Sequence, residues 1–146
     1  MKEKIASIFA IASLFALIDQ LSKYLAVVVF NLPFTQNPGI AFSINLPRWY
    51  SIVFTLALIC AIIYFAIKDL DLKNKLALFS VALIVGGALG NFIDRITKGS
   101  VTDFISISIW PKFNVADALI TAGVLMLFIF HARIKKVNPS NVRKKS

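Results

Sequence analysis

The sequence predicts an all-α integral membrane protein of four transmembrane helices, and three observations carry that prediction. The first is composition: the 146 residues are 58% hydrophobic and 16% charged, with mean hydropathy +0.80, too little polar surface for a water-soluble domain. The second is run length. Trp49–Ile67 and Leu76–Ile93 are free of charge, and Val115–Ile134 carries only Asp117, His131 and Arg133 near its ends, so each suffices to cross a hydrocarbon core of about 30 Å. The third is the distribution of basic residues, which gives the spans a consistent orientation.

Taken in order, helices are expected at about 5–27, 49–67, 76–93 and 115–134, in a single membrane domain over 1–137 that ends in a basic tail at 138–146. The first 18 residues also have the basic start and apolar body of a secretory signal peptide. No small-residue cleavage site precedes "DQLSK", however, and apolar residues resume at Leu25, so the segment is expected to stay as a helix. The segment "NLPFTQNPGIAFSINLPRWY" carries three prolines and must be a loop, with a short strand possible in "GIAFSI" and Trp49 and Tyr50 opening the second helix at headgroup level.

Eleven of the 16 basic residues lie at the N-terminus, in "KDLDLKNK" and in the tail, which the positive-inside rule assigns to the cytoplasm together with both termini. The acids sort the other way. Glu3, Asp69 and Asp71 fall on the basic side, but Asp19, Asp94, Asp103 and Asp117 all gather at the opposite face. The pI of about 9.9 therefore reports orientation and attraction to anionic lipid, and no nucleic-acid partner is expected.

Several chemistries drop out. Cys60 is the only cysteine and sits mid-helix without a base, and His131 is the only histidine and lies at the cytoplasmic helix end, so neither a nucleophilic triad nor a zinc motif can form. "GGALG" lies inside an apolar helix and lacks a following lysine, so its Gly86 and Gly90 are expected to serve close helix packing.

The carboxylates remain, because ionisable groups near a membrane span tend to mark function. Asp19 and Lys23 are spaced i, i+4 and suit a structural ion pair, while Asp94 suits Arg95 or another basic neighbour; Asn91, Asp94 and Arg95 share one helix face. "SVTDFISISIW" alternates with period two, which predicts a strand over 101–109 with Asp103 among aliphatic residues, where burial would raise its pKa. Asp117, three residues after Asn114, is equally suited to a plain role offsetting the helix dipole. A chain turn at "WPKF" would allow Asp103 and Asp117 to meet; two carboxyls sharing an apolar site keep one proton between them, which yields an acid and a base for activating water.

Five ordered segments, "DQLSK", "NPGIAF", "GALGNFIDR", "VTDF" and "FNVAD", closely resemble lipoprotein signal peptidase, the bacterial signal peptidase II. The resemblance implies a small extracytoplasmic β-element and an aspartyl endopeptidase with Asp103 and Asp117 as its catalytic dyad. It implies substrate-binding or site-shaping roles for Asn37, Gly39, Asn91, Arg95 and Asn114, and structural support from Asp19, Lys23 and Asp94, the last steadying Arg95 and the loop. The implied substrate is a diacylglyceryl prolipoprotein cut N-terminal to its lipidated cysteine, at the outer leaflet face of the cytoplasmic membrane. No metal or other cofactor is expected; membrane lipids and the inhibitor globomycin are the other partners, and a monomer is expected. Two other classes fit the bare composition: a small proton-coupled transporter and a structural membrane subunit. The absence of ionisable residues from the central turns of the helices weighs against a proton relay.

Overall fold

The computed structural model describes residues 1–39 and 48–136. Helix α1 (Lys2–Tyr24) runs on into one π-helical turn (Leu25–Val29), and α2 (Arg48–Asp69) and α3 (Lys75–Lys98) follow. Lys2–Val29, Arg48–Asp69 and Lys75–Lys98 are each long and apolar enough to cross a membrane. The fourth helix is shorter. It forms α4 (Val115–Ile129) and a final turn α5 (His131–Ile134), interrupted at Phe130, whose ψ is 12°. The expected continuous helix over 115–134 is therefore broken in two. The ladder resumes at once, because the Arg133 N–H donates to the Phe130 carbonyl at 2.8 Å.

Helix α3 is the hub. It buries 67% of its apolar window, against 22% for α1 and for α2, and it packs on α1, α2 and α4. Small residues make this possible, since lipid offers apolar helices no hydrophobic reason to associate and close backbone approach must supply the contact energy. Gly86 lies against Ala12 and Phe15, and Gly90 against Asp19, so both face α1. Gly87 lies against the Ala116 backbone, and Gly123 of α4 against Ser80, which draws α4 onto the other side. Outward-facing Leu14, Leu17, Val53, Phe54 and Phe128 leave an apolar belt for lipid.

The ends of α3 are set by side chains and backbone. Asn74 caps its start by accepting the Leu76 N–H at 2.9 Å, and Gly99 ends it with φ 81°, a left-handed conformation that suits glycine. The chain then enters β2 (Val101–Asp103), which pairs antiparallel with β1 (Thr35–Asn37) in the register Thr35 to Asp103. This two-stranded sheet covers one end of the bundle.

The β-element differs from its expectation in extent and partner. The strand predicted over 101–109 stops at Asp103, and after one bridge between Ile105 and Phe113 the chain turns, with the Trp110 N–H donating to Ile107 and Ser108 at φ 44°. Ile109 is 98% exposed, so the aliphatic alternation beyond Ile105 does not describe a buried face. The partner strand is "TQN", just before the suggested "GIAFSI", of which only Gly39 lies within the described residues. The basic tail at 138–146 lies outside them too.

Candidate active site

Ten side chains or backbone groups singled out from sequence converge at the sheet end of the bundle. The local architecture begins with α4. Asn114 accepts the Asp117 N–H at 3.0 Å, and Asp117 Oδ2 accepts the Asn114 N–H at 3.2 Å, a reciprocal capping box that fixes both side chains at the helix start. The dipole and cap role foreseen for Asp117 is therefore present, and it fixes the orientation of the carboxylate.

The other half of Asn114 points away from its helix. Its Nδ2 donates to Asp103 Oδ1 at 2.6 Å and to Asn91 Oδ1 at 3.2 Å. Asp103 Oδ2 takes a second bond from Asn37 Nδ2 at 3.2 Å, across the β1–β2 pair, and the Asn37 oxygen in turn accepts the Gly39 N–H at 3.0 Å. Asn91 completes the ring by donating from Nδ2 to Asp117 Oδ1 at 2.9 Å. The two aspartates are thus linked through one shared asparagine and a second that touches its neighbour.

The two carboxyls sit in different surroundings. Asp103 is 3% exposed, and burial pushes its pKa above the ordinary 3.8, with the nearby Asp117 charge adding to the shift and the Asn114 and Asn37 bonds opposing it. Asp117 is half-buried and lines a cleft of about 260 Å³, whose walls include Phe54 and Leu58 of α2 and Ile120 of α4. Asp103 is not part of that wall. A buried carboxyl with a raised pKa, linked to a second carboxyl that faces an apolar cleft, is an arrangement that can supply an acid and a base.

Arg95 also lines the cleft. Its guanidinium donates to the Gly39 carbonyl at 3.0 Å and to the Asn91 carbonyl at 3.3 Å, tying the first loop to α3, while its Nε is buried without a partner among the described residues.

Behind this ring lies a buried ionic layer. Lys23 Nζ reaches Asp19 at 2.7 Å, Asp94 at 2.9 Å and Asn91 Oδ1 at 3.3 Å. With Lys23 and Asn114 both donating to the Asn91 oxygen, the Asn91 amide nitrogen must face Asp117. Asp19 Oδ1 accepts the Ala116 N–H at 2.8 Å, which pins the first turn of α4 to α1.

Asp94 makes its contacts with two lysines and with the backbone of β2. It pairs with Lys23 and with Lys98 (2.9 Å), and it holds the β2 backbone by accepting the Thr102 N–H at 3.1 Å; no bond to Arg95 occurs among the described residues. Helix geometry explains this, since Arg95 follows Asp94 directly and points about 100° away, whereas Lys98 is one turn on.

Sequence reasoning passed over three contributors. Lys98 stands i, i+4 from Asp94, a spacing that signals the pair. Gln20 donates to the Gly90 carbonyl at 3.0 Å and Thr35 sits opposite Asp103, and nothing in local sequence announces either contact. Among the described residues no three His, Cys, Asp or Glu side chains are arranged to hold a metal ion.

Known proteins share this chain's sequence and shape. The signal peptidase (SPase) II family model matches residues 11–133. A lipoprotein signal peptidase of Francisella tularensis subsp. novicida is 41% identical over 88% of this chain and 92% of its own length, and one of Moorella thermoacetica is 40% identical over 80% and 87%. A solved bacterial membrane enzyme superposes with a TM-score of 0.75 at 29% identity, covering 88% of this chain and 89% of that one. With a family match across nearly the whole helical bundle and relatives this similar over most of their length, the chain belongs to the signal peptidase II family.

Proposed function

We propose that this multi-pass protein of the bacterial cytoplasmic membrane removes signal peptides from diacylglyceryl-modified prolipoproteins, cutting N-terminal to the lipidated cysteine, with Asp103 and Asp117 as its catalytic dyad. The observation that carries the proposal is the Asp103–Asn114–Asp117 linkage opening, through Asp117, onto an apolar cleft between α2 and α4. A lipid-anchored peptide needs such an apolar approach, and a water-splitting pair needs the proton asymmetry that burial of Asp103 provides.

In the proposed reaction Asp117 takes a proton from water as the hydroxyl adds to the scissile carbonyl, and Asp103 gives its proton to the carbonyl oxygen. Collapse of the tetrahedral intermediate then returns a hydroxyl proton to Asp103 as the carbonyl re-forms, and expels the amine, which leaves with the proton that Asp117 gained. Asn91, Asn114 and Asn37 are positioning residues that hold the two carboxyls, and Arg95 and Gly39 shape the mouth. The excess of basic residues at the opposite end supports cytoplasmic termini and a site at the outer leaflet. Globomycin would compete for the cleft, and the chain would act as a monomer.

A transporter is disfavoured by the placement of charge. Among the described residues, every buried charged side chain (Asp19, Lys23, Asp94, Arg95 and Asp103) lies at the sheet end, so no relay continues through the bundle.

The test is a gel-shift cleavage assay with purified protein and a prolipoprotein supplied with and without its diacylglyceryl group. Cleavage confined to the lipidated form and blocked by globomycin is expected. Equal cleavage of the unlipidated precursor would contradict the substrate assignment.

A further inference from the structure

At the end of the bundle opposite the dyad, α1 and the start of α3 enclose a second cleft, of about 380 Å³. Its mouth carries Lys4, Lys73 and Lys75, and its wall is made by Ile11, Leu78 and Phe79. Lys4 and Ile11 stand two turns apart on α1, and Lys75, Leu78 and Phe79 follow at helix spacing on α3. The cleft is thus cationic at its rim and apolar inward, over a depth of about 10 Å along the helix axes.

The charge at the rim is uncompensated. All seven acidic residues of the chain lie among the described residues, yet the only ion pairs there join Lys23 and Lys98 to Asp19 and Asp94 at the far end. Glu3 directly precedes Lys4 but forms no ion pair with it, and Asp71, the acid nearest in sequence to Lys73 and Lys75, has Oδ1 occupied by the Lys73 N–H at 3.0 Å. Among the described residues none of the three ammonium groups has a carboxylate within ion-pairing reach, and no acid lines the cleft. Phe79 meets Phe15 edge-to-face at 5.7 Å, a contact that favours its place in the apolar wall.

We infer that this cleft binds an anionic phospholipid, with the phosphate among Lys4, Lys73 and Lys75 and the start of an acyl chain against Ile11, Leu78 and Phe79. Charge complementarity selects an anion, and the apolar wall leading inward from the rim selects one that carries a hydrocarbon tail. The volume is in the range of small-molecule sites. A zwitterionic lipid would bring a cationic group to an already cationic rim, so phosphatidylglycerol should win over phosphatidylcholine.

Native mass spectrometry of the full chain, offered phosphatidylglycerol and phosphatidylcholine at equal concentration, tests this. Phosphatidylglycerol should be retained at least about tenfold better, each single variant (Lys4→Gln, Lys73→Gln, Lys75→Gln) should weaken retention by roughly fivefold, and the triple variant should abolish the preference. A control triple at the same end but outside the cleft, Lys2→Gln with Lys68→Gln and Lys135→Gln, should keep it. Thermal unfolding should shift upward with phosphatidylglycerol and stay put with inorganic phosphate. The inference is overturned if the control triple loses as much as the cleft triple, if the single variants and wild type retain both lipids equally, or if inorganic phosphate stabilises as well as the lipid.

Discussion

Asn114 donates from its side-chain amide to Asp103 Oδ1 at 2.6 Å, while its amide oxygen caps α4 on the Asp117 N–H. One residue thereby sets the start of a helix and the spacing of two carboxyls that come from different elements. The two jobs use different atoms, so they can be separated. Asn114→Ser keeps an oxygen for the cap and loses the donor to Asp103; it should remain within about 1 kcal/mol of wild-type stability while cleavage falls by roughly a hundredfold. Asn114→Ala should lose the cap as well, at a further cost of about 0.5–2 kcal/mol. Thermal unfolding beside single-turnover cleavage reads both, and wild-type cleavage by the serine variant would show that the amide donor is dispensable.

Burial of Asp103 makes a prediction about pH. Because its pKa is raised above 3.8, the folded chain keeps a proton that the unfolded chain releases, so stability falls as pH rises from about 3.8 through the raised value and then levels off. Asp103→Asn removes that slope. The variant should therefore gain on wild type in unfolding temperature as pH climbs from about 3 to 7, and a stability difference that does not change with pH would show that Asp103 is not desolvated.

Lys23 neutralises two buried carboxylates, Asp19 and Asp94, and orients Asn91. Lys23→Met strands Asp19 and leaves Asp94 with Lys98 alone, and should cost about 3–5 kcal/mol. Adding Asp19→Asn should restore part of the loss, because the stranded charge disappears while Asp94 keeps Lys98. Unfolding in detergent micelles checks the pair of variants; equal stability of Lys23→Met and wild type would mean that water already serves Asp19.

Gly90 has no room for a side chain, since a Cβ there would lie 2.5 Å from Asp19 Oδ2. Gly90→Ala should push α1 from α3, cost about 1–3 kcal/mol and loosen the Asp19 hold on the Ala116 N–H. Reduced cleavage together with reduced stability is expected, measured in one preparation by the gel-shift assay and by thermal unfolding.

The sequence made visible whatever is local or repeated along a helix. Long apolar runs marked three spans, and the Asp19–Lys23 and Asn114–Asp117 spacings already described bonds that occur within a turn. What it hid was carried by distant partners. The β1–β2 pair joins three-residue strands 66 positions apart, too short for alternation to signal, and Lys23 meets Asp94 only because Gly90 lets α1 and α3 approach. Alternation also misled over 101–109. Past Ile105 the chain turns at Ser108, and its aliphatic side chains face outward, as Ile109 does.

The dyad is the central claim, and substitution of each aspartate tests it most directly. Asp103→Asn and Asp117→Asn, each shown by its unfolding temperature to be folded, should lose cleavage of a diacylglyceryl prolipoprotein by at least about a thousandfold, with EDTA leaving the wild-type rate unchanged. A folded variant of either kind that cleaves at close to the wild-type rate would contradict the account.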